Sequence, residues 1–288
     1  MDAPKQMLAV FMPARNEKKN IGKNVDVLKE GIQNGKIDYA VIVIDGSTDR
    51  TAEIAFTKLG LSKRQIIALT ERNRGTLVLQ DGFVIIYHKK PEGKGRNFWE
   101  AVFTLKGRTN FFKNPNSVLV DVDADAVNLT VRKITGIAAE LSRKGLPMIL
   151  GKHLEKTADT IRPWNPRPES TGFRAIKATS LKPMLQMKKY WVRVFPRGFG
   201  MDYALNMLIL EQDYLARKKP GKFDRSDIPV SHIKLLHEKP GKHGSDYAQY
   251  QRRWDARIRW FRDKPIHLYH PGPENLAFHE RAKRKKLV

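Results

Sequence analysis

The stretch VLVDVDADAV, residues 118–127, carries an apolar run into three aspartates separated by single apolar residues. Short apolar runs bounded by loops are typical of strands that are buried on both faces of a sheet. Two carboxylates one residue apart can bind a hard divalent cation, which in turn binds substrate phosphates. The alternative is a strand end with solvated aspartates, and the stretch alone leaves both interpretations open.

Apolar runs of the same kind recur through the first 150 residues, and each is followed by a loop and a helical pattern. The runs are MLAVFM (7–12), YAVIVID (39–45), FVIIYHKK (83–90) and SVLVDV (117–122). Helices are predicted within 21–34, 46–60, 91–105 and 130–145, with Ser47 or Thr48 capping the second helix and Gly60 ending it. This alternation predicts a parallel sheet with helices on both faces, whose ligands bind where the strands end.

The pattern changes after about residue 150. Residues 155–172 are rich in proline and predict an irregular loop at the active site. Residues 198–218 predict a loop and a long helix, and residues 227–244 predict a strand that runs into a Lys/His/Gly loop. Residues 246–264 predict a basic helix with an aromatic face.

The charge is strongly positive, with 54 Lys and Arg against 30 Asp and Glu and a net charge of +24. Residues 215–288 hold 19 of the basic and 8 of the acidic residues. This balance indicates a polyanionic partner, although a basic surface without such a partner is the alternative. The absence of cysteine excludes a disulfide scaffold and a thiolate metal site, and no apolar run approaches the length of a membrane span.

Six motifs, taken in order, resemble those of GT-A nucleotide-sugar glycosyltransferases of the family 2-like group. They are MPARNEKKNI (12–21), VIVIDGSTDRTAEIA (41–55), PEGKGRNFWEAV (91–102), VDVDADAV (120–127), ESTGFRAIKATSL (169–181) and GFGMDYALN (198–206). The resemblance implies an α/β, Rossmann-like GT-A fold with a mostly parallel sheet flanked by helices. It implies a transferase domain over 1–245, with a nucleotide-sugar half over about 1–127 and an acceptor half over about 128–245. A C-terminal basic, aromatic helical extension and tail would occupy 246–288.

The resemblance also implies a site for a nucleoside-diphosphate sugar donor. The residues expected to bind it are Pro13, Ala14, Arg15, Glu17, Asp45, Lys94, Arg96 and Asp123. Ile44 stands where the family usually has the first of two aspartates, which leaves recognition of the base open. Mn²⁺ or Mg²⁺ would be held by Asp123, Asp125 and a C-terminal histidine, with His237 preferred to His232.

Asp202 matches the position that serves as general base in inverting members of the family, where it would deprotonate the acceptor hydroxyl. Met201 departs from the usual residue before it, and an aspartate at a helix N-terminus is the alternative interpretation. Contacts with the acceptor or with phosphates are expected from Arg174, Lys239, Lys242, Arg253 and Arg257.

The predicted function is metal-dependent transfer of a sugar to an acceptor hydroxyl, with inversion, on a polyanionic acceptor such as a hydroxymethylated base in DNA. One alternative is a polyprenyl-phosphate glycosyltransferase at an anionic membrane surface. Another is an inactive transferase fold that serves as a nucleic-acid-binding module. We expect a soluble, cytoplasmic protein, which includes the case of a viral protein in the cytoplasm of its host. Under the first alternative, the protein would be peripheral to a membrane.

Overall fold

The computed structural model describes residues 5–79, 81–156, 161–163, 172–185, 205, 209 and 229–238. The helices are α1 (Ile21–Gln33), α2 (Thr51–Lys58), α3 (Lys63–Thr70), α4 (Lys94–Arg108), α5 (Val131–Arg143) and α6 (Ala178–Leu185), with a short 3-10 helix at Phe111–Lys113. The strands are β1 (Leu8–Ala14), β2 (Tyr39–Asp45), β3 (Arg74–Val78), β4 (Phe83–His88), β5 (Val118–Val122), β6 (Met148–Lys156), β7 (Ile161–Pro163), β8 (Phe173–Lys177) and β9 (Val230–Glu238).

The strands form one mixed sheet in the order β3-β4-β2-β1-β5-β8-β6-β7, and β9 pairs with β6. The central strands β4, β2, β1 and β5 are parallel. The flanking strands β3, β8 and β7 pair with their neighbours in the antiparallel sense, whereas β9 is parallel to β6. The predicted α/β class with a mostly parallel sheet is therefore confirmed in its central half.

Both faces of the sheet are buried, because alternate side chains of the central strands enter two different cores. In β1, Phe11 packs on the α4 side, where its ring meets Phe98 edge-on at 5.5 Å. The neighbouring Val10 and Met12 face the opposite core, which α1 and α5 cover. Burial on both faces explains why these strands are apolar throughout rather than alternating with polar residues.

The four helices predicted within the first 150 residues form, but the predicted cap of α2 is wrong. Arg50 occupies the N-cap position of α2 and makes no capping hydrogen bond through its side chain. Ser47 and Thr48 are instead bonded to Asn16 in the loop after β1. Gly60 follows the helix with φ of 69°, as expected of a residue that ends it.

Several elements were not foreseen. Helix α3 begins with a capping box of Ser62 and Gln65, and β3 follows it at the edge of the sheet. The proline-rich segment predicted as a loop contains the end of β6 and all of β7. Across the described ranges, no helix combines the length and apolar character needed to cross a membrane.

Candidate active site

The predicted site residues of the first half cluster at one edge of the sheet. Strands β1, β2, β4 and β5 run in the same direction, so the loops after all four meet at their carboxyl ends. In open α/β sheets, ligands usually bind outside the carboxyl ends of the strands, at the point where the strand order reverses.

The loops after β1 and β2 are tied together by backbone and side-chain hydrogen bonds. The Thr48 backbone N–H donates to Asn16 Oδ1 at 2.8 Å, and the Asn16 N–H donates to Ser47 Oγ at 3.2 Å. The Glu17 N–H donates to Thr51 Oγ1 at 2.7 Å. These bonds fix the wall of the edge formed by the first two motifs.

The residues predicted to line the base and ribose lie in this wall. Pro13 and Ala14 end β1, Arg15 is exposed and Glu17 is half-buried. Their predicted contacts with a nucleotide stay predictions.

Lys94 and the aspartates of the opening stretch form the charged centre of the edge. Lys94 Nζ lies 2.6 Å from Asp123 Oδ1 and 3.8 Å from Asp121 Oδ2. Asp121 is completely buried, whereas about 29% of the Asp123 side chain is exposed. A flexible ammonium held between two carboxylates, one of them reachable from solvent, can be drawn to an incoming anion.

Arg174 lies behind this centre. It is the antiparallel register partner of Asp121, both side chains are completely buried, and Nε lies 3.3 Å from Asp121 Oδ2. Arg174 was predicted to contact an acceptor or a phosphate. The structure instead places it inside the protein as an ion-pair partner, because the pairing of β5 with β8 faces it towards Asp121.

The turn that carries the Asp-x-Asp pair is held by residues that the sequence did not single out. Asn24 on α1 is buried, and its side-chain amide donates to the carbonyls of Ala124 at 2.9 Å and Ala126 at 3.0 Å. Gly172 accepts a hydrogen bond from the Asp123 N–H, and a Cβ at Gly172 would lie 1.6 Å from Asp123 Oδ2. A side chain at Gly172 would therefore displace this carboxylate from its present position.

Asp45 was predicted to lie in the nucleotide pocket, but its carboxylate is bonded within the protein. It accepts from the N–H groups of Glu92 at 2.7 Å and Gly93 at 3.0 Å, and it lies 3.2 Å from His88 Nδ1. Burial raises the pKa of Asp45, but the hydrogen bonds from His88, the two amides and Asn97 outweigh it and hold the pKa below its usual value. Asp45 therefore shapes the loop before α4.

Arg96 was predicted to reach the nucleotide or sugar together with Lys94, but the two side chains diverge. Arg96 Nη1 bonds Glu92 Oε2 at 2.9 Å, and Arg74 from the edge strand β3 binds the other oxygen of Glu92. Arg74 and Arg96 also line a groove of about 440 Å³ that runs along α4 to Arg108. In this arrangement Lys94 faces the aspartates, and Arg96 faces the edge strand.

Most of the remaining predicted site residues have no side-chain position among the residues that the structure describes. Asp202, Lys239, Lys242, Arg253 and Arg257 lie outside the described residues. His232 and His237 lie in β9, but their side chains are not among those described. Asp125 lies half-buried in the turn after β5. Within the described part of the chain, no three His, Asp or Glu side chains are grouped so that they could hold a metal ion.

The sequence motifs contained the signals for two of the residues that were missed. His88 lies near the end of the predicted strand FVIIYHKK, and Glu92 lies in the motif PEGKG, but neither side chain was assigned a partner. Glu100 and Asn24 lie within helices, where a polar residue is normally solvated and gives no signal of its own.

The amino-acid sequence also matches a known protein family over this part of the chain. The sequence model described as Glycosyl transferase family 2 matches residues 9–181, which include β2, β4, β5, all of β1 except its first residue, and the loops that follow these strands. The chain belongs to this family. It is therefore a glycosyltransferase, and its sheet is that of the GT-A fold. No curated protein is significantly similar to it in sequence.

Solved structures share the fold at low sequence identity. One is a mycobacterial protein, 17% identical, with a TM-score of 0.54 over 93% of this chain and 81% of the other. Another is glucosyl-3-phosphoglycerate synthase of Mycobacterium tuberculosis, 18% identical, with a TM-score of 0.52 over 90% and 81% of the two chains. The same synthase in complex with Mn²⁺, UDP-glucose and glycerol 3-phosphate gives a TM-score of 0.53 at 18% identity, with the same coverage.

Proposed function

We propose that the chain transfers a sugar from a nucleoside-diphosphate sugar to the hydroxyl group of a phosphate-bearing acceptor, at the edge where β1, β2, β4 and β5 end. The observation that carries this proposal is the position of Lys94 between Asp121 and Asp123, in a chain that belongs to a glycosyltransferase family. A diphosphate would draw the ammonium away from Asp123, whose partly exposed carboxylate would then bind a cation.

The residues of this edge fit a divalent cation. Asp123 and Asp125 offer carboxylate oxygens, which Mg²⁺ and Mn²⁺ prefer, and both ions usually complete their coordination with water and substrate phosphates rather than with further side chains. A related fold has been solved with Mn²⁺ and UDP-glucose. A divalent ion bound here would neutralise the negative charge of the departing diphosphate. His237 remains the predicted third ligand.

Different side chains of the protein would bind the donor and accept the proton during transfer. Lys94 would move from Asp123 to the diphosphate, and the residues at the end of β1 would hold the nucleoside. In the transfer step the acceptor oxygen forms a bond to the anomeric carbon while the bond from that carbon to the diphosphate oxygen breaks. Asp202 would accept the hydroxyl proton, which corresponds to inversion at the anomeric carbon.

The net charge of +24 supports a nucleic acid as the acceptor. Backbone phosphates bind Lys and Arg spread over a broad surface, and a target base such as a hydroxymethylated pyrimidine would have to be turned out of the duplex to reach the site. A polyprenyl phosphate at an anionic surface would use the same basic side chains. The glucosyl-3-phosphoglycerate synthase, which has a similar fold, has been crystallised with phosphoglyceric acid, an anionic ligand.

The test is transfer of labelled sugar from UDP-glucose and other nucleoside-diphosphate sugars in Mn²⁺. The full chain is offered duplex DNA containing hydroxymethylated pyrimidines, unmodified DNA, and vesicles containing a polyprenyl phosphate, each over a salt series. Label on the modified DNA alone supports the proposal, and label on the lipid supports the membrane alternative. Tight DNA binding without transfer from any donor would indicate the inactive module and would overturn the proposal. Asp123→Asn is the matched control, because it keeps the shape of the side chain and removes its charge.

A further inference from the structure

His88 occupies a central position that the proposed reaction does not use directly. It ends β4, is completely buried, and is the register partner of Asp45 on β2. Its Nδ1 lies 3.2 Å from Asp45 Oδ1, and its Nε2 lies 2.9 Å from Glu100 Oε2 on α4. One imidazole ring thus connects the end of a central strand to the second turn of a helix.

The partner of His88 on the strand side controls the start of the same helix. Asp45 accepts the N–H groups of Glu92 and Gly93, the last two residues before α4. Gly93 is the N-cap of α4, has φ of 91° and offers no capping side chain, so the Asp45 carboxylate is what anchors the two residues that lead into the helix. Lys94 is the next residue, and its Nζ contacts Asp123.

The two carboxylates beside His88 favour a charged ring. Burial lowers the pKa of His88, but the hydrogen bonds and charges of Asp45 and Glu100 outweigh it and raise the pKa to about 9. An imidazolium donates from both nitrogens, whereas a neutral ring would turn a lone pair towards one of the two carboxylates. Glu92 from the loop also interacts electrostatically with the ring, and Arg74 is the register partner of His88 on β3.

We propose that His88 is a positioning residue of the transferase, which binds Glu100 and Asp45 together and thereby holds the loop before α4 so that Lys94 stands beside Asp123. It does not contact the donor. Its effect reaches the site through the amides of Glu92 and Gly93.

The decisive measurement is backbone hydrogen exchange in the free, full-length protein. The probes are the amides of Glu92 and Gly93, each compared with the amides of β1 so that a global loss of stability cancels. In His88→Asn we expect these two amides to lose about tenfold or more of their relative protection, since a lost hydrogen bond of about 1.4 kcal/mol corresponds to a factor of ten. We also expect the Kd for UDP in Mn²⁺ to rise by about tenfold, because Lys94 is no longer held in place.

A second variant keeps the proposal testable if His88→Asn does not fold. Glu100→Gln preserves the size of the side chain and removes one of the two charges that fix the ring, so it should shift both readouts in the same direction by a smaller factor. Unchanged relative protection of the two amides in a folded variant would overturn the proposal.

Ser231→Ala is the matched control, because Ser231 is also completely buried and donates to a glutamate, Glu140, at 2.5 Å. It should lower stability and leave both readouts unchanged, and an equal shift there would refute a specific role for His88. Exchange is measured without ligand, so it tests the positioning separately from the proposed function. A wild-type protein that binds no UDP would count against that function alone.

Discussion

The buried His88 should make the stability of this protein fall as the solution becomes alkaline. The pKa of His88 is about 9 in the folded protein, against an ordinary value of 6.5. Because the folded value is the higher one, the folded state binds the proton more tightly. The stabilisation is fully present below about pH 6.5 and is lost as the pH rises through about 9.

The size of the effect follows from the difference in pKa. Each unit corresponds to about 1.4 kcal/mol, so the protonated ring contributes roughly 3 kcal/mol at its limit, and most of this is lost between pH 7 and 10. This is a large share of the roughly 5–15 kcal/mol by which domains are usually stable.

Urea unfolding followed by tryptophan fluorescence measures this dependence, since the chain has five tryptophans. Wild type and His88→Asn are compared at each pH, so that titration of lysines and the decrease in net charge act on both. We expect the difference in unfolding free energy to shrink by about 2–3 kcal/mol between pH 7 and 10. A difference that stays constant over this range would refute the argument that the ring is charged in the folded protein.

Three further substitutions test the site. Gly172→Ala would place a methyl group 1.6 Å from Asp123 Oδ2, so we expect kcat/KM to fall by about a hundredfold while the urea midpoint changes little. Equal losses of activity and stability would contradict this. Arg174→Met should lower the unfolding free energy by about 3–5 kcal/mol, because it leaves Asp121 as a buried carboxylate without its strand partner, and an effect within about 1 kcal/mol would show that the pair is not formed. Asn24→Ala should cost about 1–3 kcal/mol for each of the two carbonyls it leaves unbonded, as measured by urea unfolding, and should weaken Mn²⁺ binding measured by calorimetry. Unchanged Mn²⁺ affinity would exclude a role for Asn24 in holding the Asp-x-Asp turn.

The sequence predicted the main strands and helices of the first half because their patterns are local. An apolar run such as YAVIVID between loops has one stable place, the interior of a covered parallel sheet. The cap of α2 could not be predicted in the same way. Ser47 and Thr48 are residue types that often cap helices, but here both are hydrogen-bonded to Asn16. Asn16 is more than thirty residues away in the sequence and reaches them only because β1 and β2 are paired.

The sequence by itself determined the class of fold, the family, and the edge of the sheet at which we propose that the sugar is transferred, because apolar periodicity and short motifs can be recognised without knowledge of distant contacts. Only the tertiary structure decided which charged side chains face that edge. It turned Lys94 towards Asp123, placed Arg174 inside against Asp121, and joined His88 to Asp45. A carboxylate has the same letter in the sequence whether it binds a ligand or a neighbouring strand, and its role depends on which charges the fold brings within a few ångströms of it.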